Sequence, residues 1–251
     1  MNIVIIGSGN VATILGTLLK QHDYTIIQII SRDINHAKIL ANKLDATFAD
    51  FSGPHEMNAD LYILALSDDA LLGDFSFLKL NNKPVVHTAA ALSKDVLKNL
   101  SSNYGILYPL QSLSKIMKDI PPIPFLIDAN NNDTLELIKS IVQKISNTVK
   151  VATDEERLKL HVAAVLVNNF TNHLFSLAES FCENENLNFT LLQPLIIETV
   201  NKIKHNTAKE SQTGPAIRND IKTIEKHLAV LEKYSSLKEI YLKMTNDIMN
   251  H

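Results

Sequence analysis

VIIGSGNVA, residues Val4–Ala12, is a short apolar run that stops abruptly at a glycine. Its β-branched residues favour a strand, Gly7 and Gly9 leave the backbone bare, and Ala12 opens a run with helical spacing. The pattern is G-x-G-x-x-A between a strand and a helix, the setting in which such a turn serves dinucleotides. Gly7 then permits the tight turn, Gly9 lets a pyrophosphate approach the main chain, and Ala12 lets helix pack closely on strand. Ser8, Asn10 and Val11 complete the turn, where free amides at a helix N-terminus attract an anion. A strand-to-helix turn without a ligand is the plainer alternative.

Outward from this turn, the first half of the chain alternates β-branched runs with helical patterns, the rhythm of a parallel sheet flanked by helices. Strands are predicted at Asn2–Ile6, Tyr24–Ile30, Ala46–Phe48, Leu61–Leu66, Pro84–His87 and Tyr104–Tyr108, with helices at Val11–Lys20, Ile34–Leu44 and Ser93–Leu100. Two further strands, Pro124–Ile127 and Thr148–Val151, flank a helix that Asp133 can cap, and a stiff PPIP loop at 121–124 precedes them. Right-handed crossovers leave a doubly wound sheet of the Rossmann type as the expected α/β fold.

After Asp154 the apolar spacing becomes helical throughout, so the expected division is an α/β domain over 1–152 and an all-α domain over 153–251. Helices are read at about Asp154–Cys182 and Phe189–Lys204, and one apolar face after Pro215 runs through Ile217, Ile221, Ile224, Leu228 and Leu231. Ser236 and Glu239 have the spacing of a capping box.

Composition narrows the class. A net charge of −3 with 45% hydrophobic and 20% charged residues describes an ordinary globular chain, with no basic excess to suggest nucleic acid or a membrane surface as partner. A single cysteine, Cys182, rules out an intrachain disulfide framework, fits a reducing, cytoplasmic setting and is expected to be buried. The first residues lack the pattern of a signal peptide, no apolar run is long enough to cross a bilayer, and no metal site is read.

The end of the second strand bears on which dinucleotide. An acidic residue there suits the ribose hydroxyls of NAD, whereas IISRD places Ser31 and Arg32 first and delays the carboxylate to Asp33. A guanidinium and a hydroxyl suit a 2′-phosphate, so NADP(H) is the expected cofactor; Asp33 can equally cap the next helix. Later strand ends bring Leu66, Ser67 and Asp68, then His87 and Thr88, to the same crevice, with His87 open to a second role as a core histidine.

The helical half carries LHVAAVLVNNFTNHL. At about 100° per residue, His161, Asn168 and Asn172 lie within about 40° of one another on a helix otherwise apolar almost all round. Such a helix is expected to be buried, its polar groups either bonded to neighbours or facing a pocket. In SQTGPAIRND, Gly214 and Pro215 are expected to start a helix that Thr213 caps, with Arg218 one turn in, an arrangement for a carboxylate or phosphate.

Taken in order, GSGNVA, ISRD, HTAAALSKDVL, YPLQSLSK, LHVAAVLVNNFTNHL, PLIIETVNKI and QTGPAIRND resemble a bacterial family of predicted oxidoreductases that join a Rossmann-like domain to a C-terminal helical domain of unknown function. More distantly the chain is similar to pyrroline-5-carboxylate reductase, 6-phosphogluconate dehydrogenase and ketopantoate reductase. That resemblance implies NADP, a site between domains, a small-molecule substrate and a homodimer formed through the helical domain. The chain departs from the family where His-Thr-Ser-Gly becomes His87, Thr88, Ala89, Ala90, and the Lys-x-x-x-Asn pair of the hydroxyacid dehydrogenases is missing from Asp154–Cys182. His161 is then the candidate proton-transfer group, with Asn168 and Asn172 to orient a carbonyl or hydroxyl. The expected reaction is hydride transfer to or from a C=O or C=N bond of a small, anionic metabolite. A non-catalytic NADPH sensor and a deazaflavin-linked NADP oxidoreductase are the alternatives.

Overall fold

A computed structural model describes residues 1–78 and 80–250. Two compact units emerge, Met1–Asn169 and Phe170–His251. The first contains β1 (Asn2–Ile6), α1 (Asn10–Gln21), β2 (Thr25–Ile30), α2 (Ile34–Leu44), β3 (Thr47–Ala49), β4 (Leu61–Leu64), α3 (Asp68–Leu71), β5 (Val85–His87), β6 (Tyr104–Pro109), β7 (Phe125–Ala129), α4 (Asn132–Ile145), β8 (Val149–Val151) and α5 (Asp154–Ala164). The strands form one sheet in the order β3-β2-β1-β4-β5-β6-β7-β8. Neighbours are parallel except β6 and β7. This is the doubly wound order expected of a Rossmann-type sheet, extended by a β7–α4–β8 unit.

The pleat explains why β1 is apolar on both faces. Ile3 and Ile5 join one core cluster with Ile14, Leu15 and Leu19 of α1 and Leu40 of α2. Val4 and Ile6 join the other with Leu71, Phe75 and Leu97. Short segments cover that second face: α3 is four residues long, and the helix expected at Ser93–Leu100 shrinks to a 3₁₀ turn at Lys94–Leu97. The reversal at β7 follows from the connection before it, which contains no helix to carry the chain back across the sheet. α4 is capped by Asn131, whose side chain accepts from the Thr134 amide, and not by Asp133. A full capping box does form, at Thr153 and Glu156, where α5 begins.

The predicted helix Asp154–Cys182 is three elements: α5, a π-helix at Val165–Phe170, and α6 (Thr171–Asn184). The boundary between the two compact units falls at the end of the π-helix, so α5 belongs with the sheet. Because π-helical bonds run i→i+5, the uniform 100° step does not hold across it. Nor is the segment buried: Val162, Leu166, Val167 and Phe170 are exposed.

The second unit continues with α7 (Gln193–Lys202), α8 (Ile221–Val230) and α9 (Ser235–Met249). No helix starts at Gly214 and Pro215; 203–220 holds turns, which leaves Ile217 outside any helix, and α8 is capped by Asp220. α9 begins without a side-chain cap, so Ser236 and Glu239 form no capping box. Cys182 is buried.

Candidate functional site

The crevice lies at the carboxyl ends of β1, β2, β4, β5 and β6, where β1 and β4 mark the reversal of strand order. Gly7 has φ +125°, and a Cβ there would lie 2.2 Å from the Ala65 carbonyl oxygen, so only glycine fits between β1 and β4. Its amide donates to the Ile30 carbonyl at 2.7 Å. Gly9 differs: φ is −81° and a Cβ would meet nothing within 4 Å, so the space above the turn is open. α1 has no side-chain cap and no acid in its first turn, which leaves its N-terminal amides free to face an anion.

At the tip of β2, Ser31 is nearly buried, and its hydroxyl lies 2.9 Å from that of Ser8. It therefore braces the glycine turn more than it offers a free hydroxyl. Arg32 is exposed, with no hydrogen bond or ion pair among the described residues. Asp33 faces the other way: its side chain accepts from the Asn35 and His36 amides and caps α2, and these bonds hold its carboxyl below the usual range. Beyond β4, Leu66 is half-buried, while Ser67 and Asp68 are exposed at the start of α3.

His87 is fully buried, its Nδ1 accepting from the Ala89 amide at 3.1 Å and its Nε2 lying 3.2 Å from the Ser93 carbonyl. That pattern fixes the neutral tautomer with the proton on Nε2, and burial pushes the imidazole down to about 4. Its side chain does not reach the crevice, contrary to its assignment as a cofactor ligand; it shapes the loop holding Thr88, Ala89 and Ala90, all of them buried.

The same loop is gripped from α5 by Arg157, which is 1% exposed. Its Nε donates to the Ala90 carbonyl at 2.9 Å, and its Nη2 to the Leu92 carbonyl at 2.5 Å and to Asp154 at 2.9 Å. Nη1 is buried without a partner among the described residues. One turn on, His161 Nδ1 lies 3.0 Å from Tyr108 Oη at the end of β6. Burial raises the Tyr108 phenol above its usual value; Arg157 opposes this and Asp68 adds to it. Tyr108, His161 and Asn168 line a cavity of about 460 Å³ together with Gln111 and Ser112. The loop after β6 also touches the glycine turn, for the Lys115 amide donates to Asn10 Oδ1 at 3.1 Å.

His161 and Asn168 thus meet in one cavity, whereas Asn172 lies exposed in the second unit. The segment with Thr213, Gly214 and Arg218 offers no helix N-terminus to an anion. The Asp220 carboxylate fills that of α8, accepting from the Thr223 amide at 3.1 Å and the Thr223 hydroxyl at 2.7 Å. Tyr108 and Arg157 were not singled out from sequence. Tyr108 stands in the YPLQSLSK motif, and Arg157 is one of only three arginines, Arg32, Arg157 and Arg218, in a lysine-rich chain.

Sheet order, the glycine turn and a helical unit that follows in sequence define a Rossmann-type α/β protein with an appended helical unit. The chain belongs to the family described as Domain of unknown function (DUF2520), which matches residues 123–248. It is 35% identical to a Bacteroides fragilis protein of known crystal structure, provisionally named an NADP oxidoreductase, with a TM-score of 0.91 over 100% of this chain and 98% of that one. A Thermotoga maritima protein is 22% identical, with a TM-score of 0.76 over 97% and 99% of the two chains. The pyrroline-5-carboxylate reductase of Streptococcus pyogenes shares the fold at 15% identity, with a TM-score of 0.62 over 100% and 99%. No curated protein matches the chain. No helix among the described residues is long and apolar enough to cross a membrane.

Proposed function

We propose that the chain is an NADP(H)-dependent oxidoreductase that moves hydride to or from a C=O or C=N bond of a small metabolite. The observation that carries this is the glycine turn: open space over Gly9, the uncapped N-terminus of α1 and the unpaired Arg32 together suit a pyrophosphate with a 2′-phosphate beyond it. The provisional name of the Bacteroides fragilis relative points the same way. Residues Gly7–Val11 would hold the pyrophosphate, Arg32 the 2′-phosphate, and the loop after β5 would flank the nicotinamide through the backbone and small side chains of Thr88 and Ala89. NADPH, when bound, supplies the hydride. The protein's part is the proton, which the Tyr108–His161 pair holds beside the cavity, and orientation, for which Asn168 is placed. With the α8 terminus filled by Asp220, the Thr213–Arg218 segment gives no support for an anionic substrate.

The second unit leaves Leu187, Leu191, Leu195, Ile197, Val200 and Ile203 exposed. So much apolar surface on and around one helix is consistent with a partner, and the proposed partner is a second copy of the chain. A cytoplasmic setting fits an enzyme drawing on NADPH and its one, buried cysteine.

Thermal unfolding of the purified chain with NADPH, NADH or neither tests the cofactor assignment. A clear rise with NADPH and a smaller one with NADH is expected. Equal melting temperatures in all three would overturn it. Light scattering on the same sample should return twice the 28.0 kDa chain mass for a dimer.

A further inference from the structure

Tyr108 on β6 and His161 on α5, distant in sequence, line the 460 Å³ cavity together, and Arg157 lies one turn before His161 on α5. Arg157 and His161 are spaced i,i+4, so they share one face of α5, and His161 places that face against the Tyr108 hydroxyl. Arg157 is a cation held away from water by two main-chain carbonyls and one carboxylate, with one nitrogen left over. A buried arginine that merely anchored a loop would be expected to use all its donors, since an unpaired buried donor is costly.

Tyr108 and His161 are not equivalent. Tyr108 stands at the carboxyl edge of the sheet, where the crevice lies, next to the strand whose end carries His87 and Thr88. His161 is on the helix beyond it, and both side chains are half-buried.

Resting on the oxidoreductase assignment, we propose that Tyr108 is the group that gives the substrate its proton, that His161 relays a proton from solvent to Tyr108, and that Arg157 is a positioning residue whose fixed charge stabilises the phenolate. In the reducing direction the carbon of the C=O or C=N bond gains a hydride from the nicotinamide. The π electrons pass to its oxygen or nitrogen, which forms a bond to the proton as the Tyr108 O–H bond breaks. His161 then returns a proton to the phenolate and takes one from water, so the sum is substrate plus NADPH plus H⁺ to product plus NADP⁺. A phenol held protonated suits a donor, and a nearby cation lowers the cost of its anion at the moment of transfer. Asp154, whose carboxyl burial disfavours but the Ser93 hydroxyl and Arg157 stabilise, partly neutralises that cation; Asp68 also faces the phenol.

The test is a pH titration by NMR of the full chain carrying [¹³Cζ]tyrosine, free and with NADP⁺, with Tyr108 identified as the resonance missing from Tyr108→Phe. Arg157→Met should move the Tyr108 titration up, while Arg157→Lys, which keeps the charge, should leave it near wild type. Asp154→Asn should move it down, and serves alone should Arg157→Met fail to fold. A Tyr108 titration indifferent to these changes overturns the role of Arg157. NADPH oxidation with pyruvate and with 2-methyl-1-pyrroline as probes gives the second reading: Tyr108→Phe should lose at least about a hundredfold and His161→Asn about tenfold, each still stabilised by NADPH. Wild-type turnover in Tyr108→Phe overturns the donor assignment; where neither probe reacts, the titration decides. Wild-type chain that NADPH fails to stabilise speaks against the cofactor assignment instead, and the titration of the free chain still stands on its own.

Discussion

Gly9 and Gly7 stand two residues apart in one turn, and the structure gives them opposite reasons to be glycine. At Gly9 the backbone conformation, φ −81°, is open to alanine, and an added methyl meets nothing within 4 Å. Gly9→Ala should therefore leave the fold intact, or stabilise it by about 0.4–1 kcal/mol through a less flexible unfolded chain. The methyl would nonetheless occupy the space assigned to the pyrophosphate. At Gly7, φ +125° costs a side chain about 1–3 kcal/mol, and the 2.2 Å approach to the Ala65 carbonyl forces β1 and β4 apart as well. Gly7→Ala should thus lose at least about 3 kcal/mol, a fall of roughly 6–12 °C at about 2–4 °C per kcal/mol for a domain of this size. NADPH at about a hundredfold over its Kd adds about 2.7 kcal/mol, so wild type should rise by roughly 5–11 °C. Differential scanning calorimetry of the three proteins with and without NADPH reads both effects. Gly9→Ala should melt at or slightly above wild type and show no NADPH shift. A Gly9→Ala protein that NADPH stabilises as strongly as wild type would refute the placement of the pyrophosphate, and a Gly7→Ala protein as stable as wild type would refute the account of the turn.

Two further outcomes are expected. Arg32→Ala removes the cation proposed for the 2′-phosphate; at about 1.5–3 kcal/mol for hydrogen bonds to a charged group, NADPH affinity measured by calorimetry should fall about tenfold to a hundredfold, with NADH affinity unchanged. His87 titrates near 6.5 when unfolded and at about 4 in the buried native site, so between those values the unfolded chain binds more protons. Stability is then complete above pH 6.5 and falls by about 3 kcal/mol as pH drops to 4, a slope that urea unfolding of His87→Gln should lack and that an identical slope in wild type and variant would contradict.

The local devices were legible because each is written within one or two turns of chain. α2 begins and ends where apolar spacing placed it, Asp33 caps it, and Gly7 and Gly9 sit at a strand-to-helix turn. Failures came where a local signal had competitors. Asn131 took the cap open to Asp133, Asp220 took the helix start expected at Pro215, and a π-helix interrupted the wheel that grouped His161 with Asn172. At α4 neighbouring polar residues offered rival caps, at α8 the helix began several residues later than expected, and in the π-helix i→i+5 bonds changed the turn per residue.

What the sequence by itself determined is the alternation of strands and helices and the bare glycine turn between the first strand and its helix, because periodicity, β-branching and glycine act on the nearest residues. Only the tertiary structure decided that Tyr108 meets His161 across 53 positions, and that Arg157 is buried with its Nε on the carbonyl of Ala90, 67 positions away. Residue type favours an exposed arginine, and no local rule says which strand end a helix will cover. Those contacts exist because β6 lies beside β5 and α5 lies across their carboxyl ends, so the partners are set by strand order and packing, which a reading along the chain cannot supply.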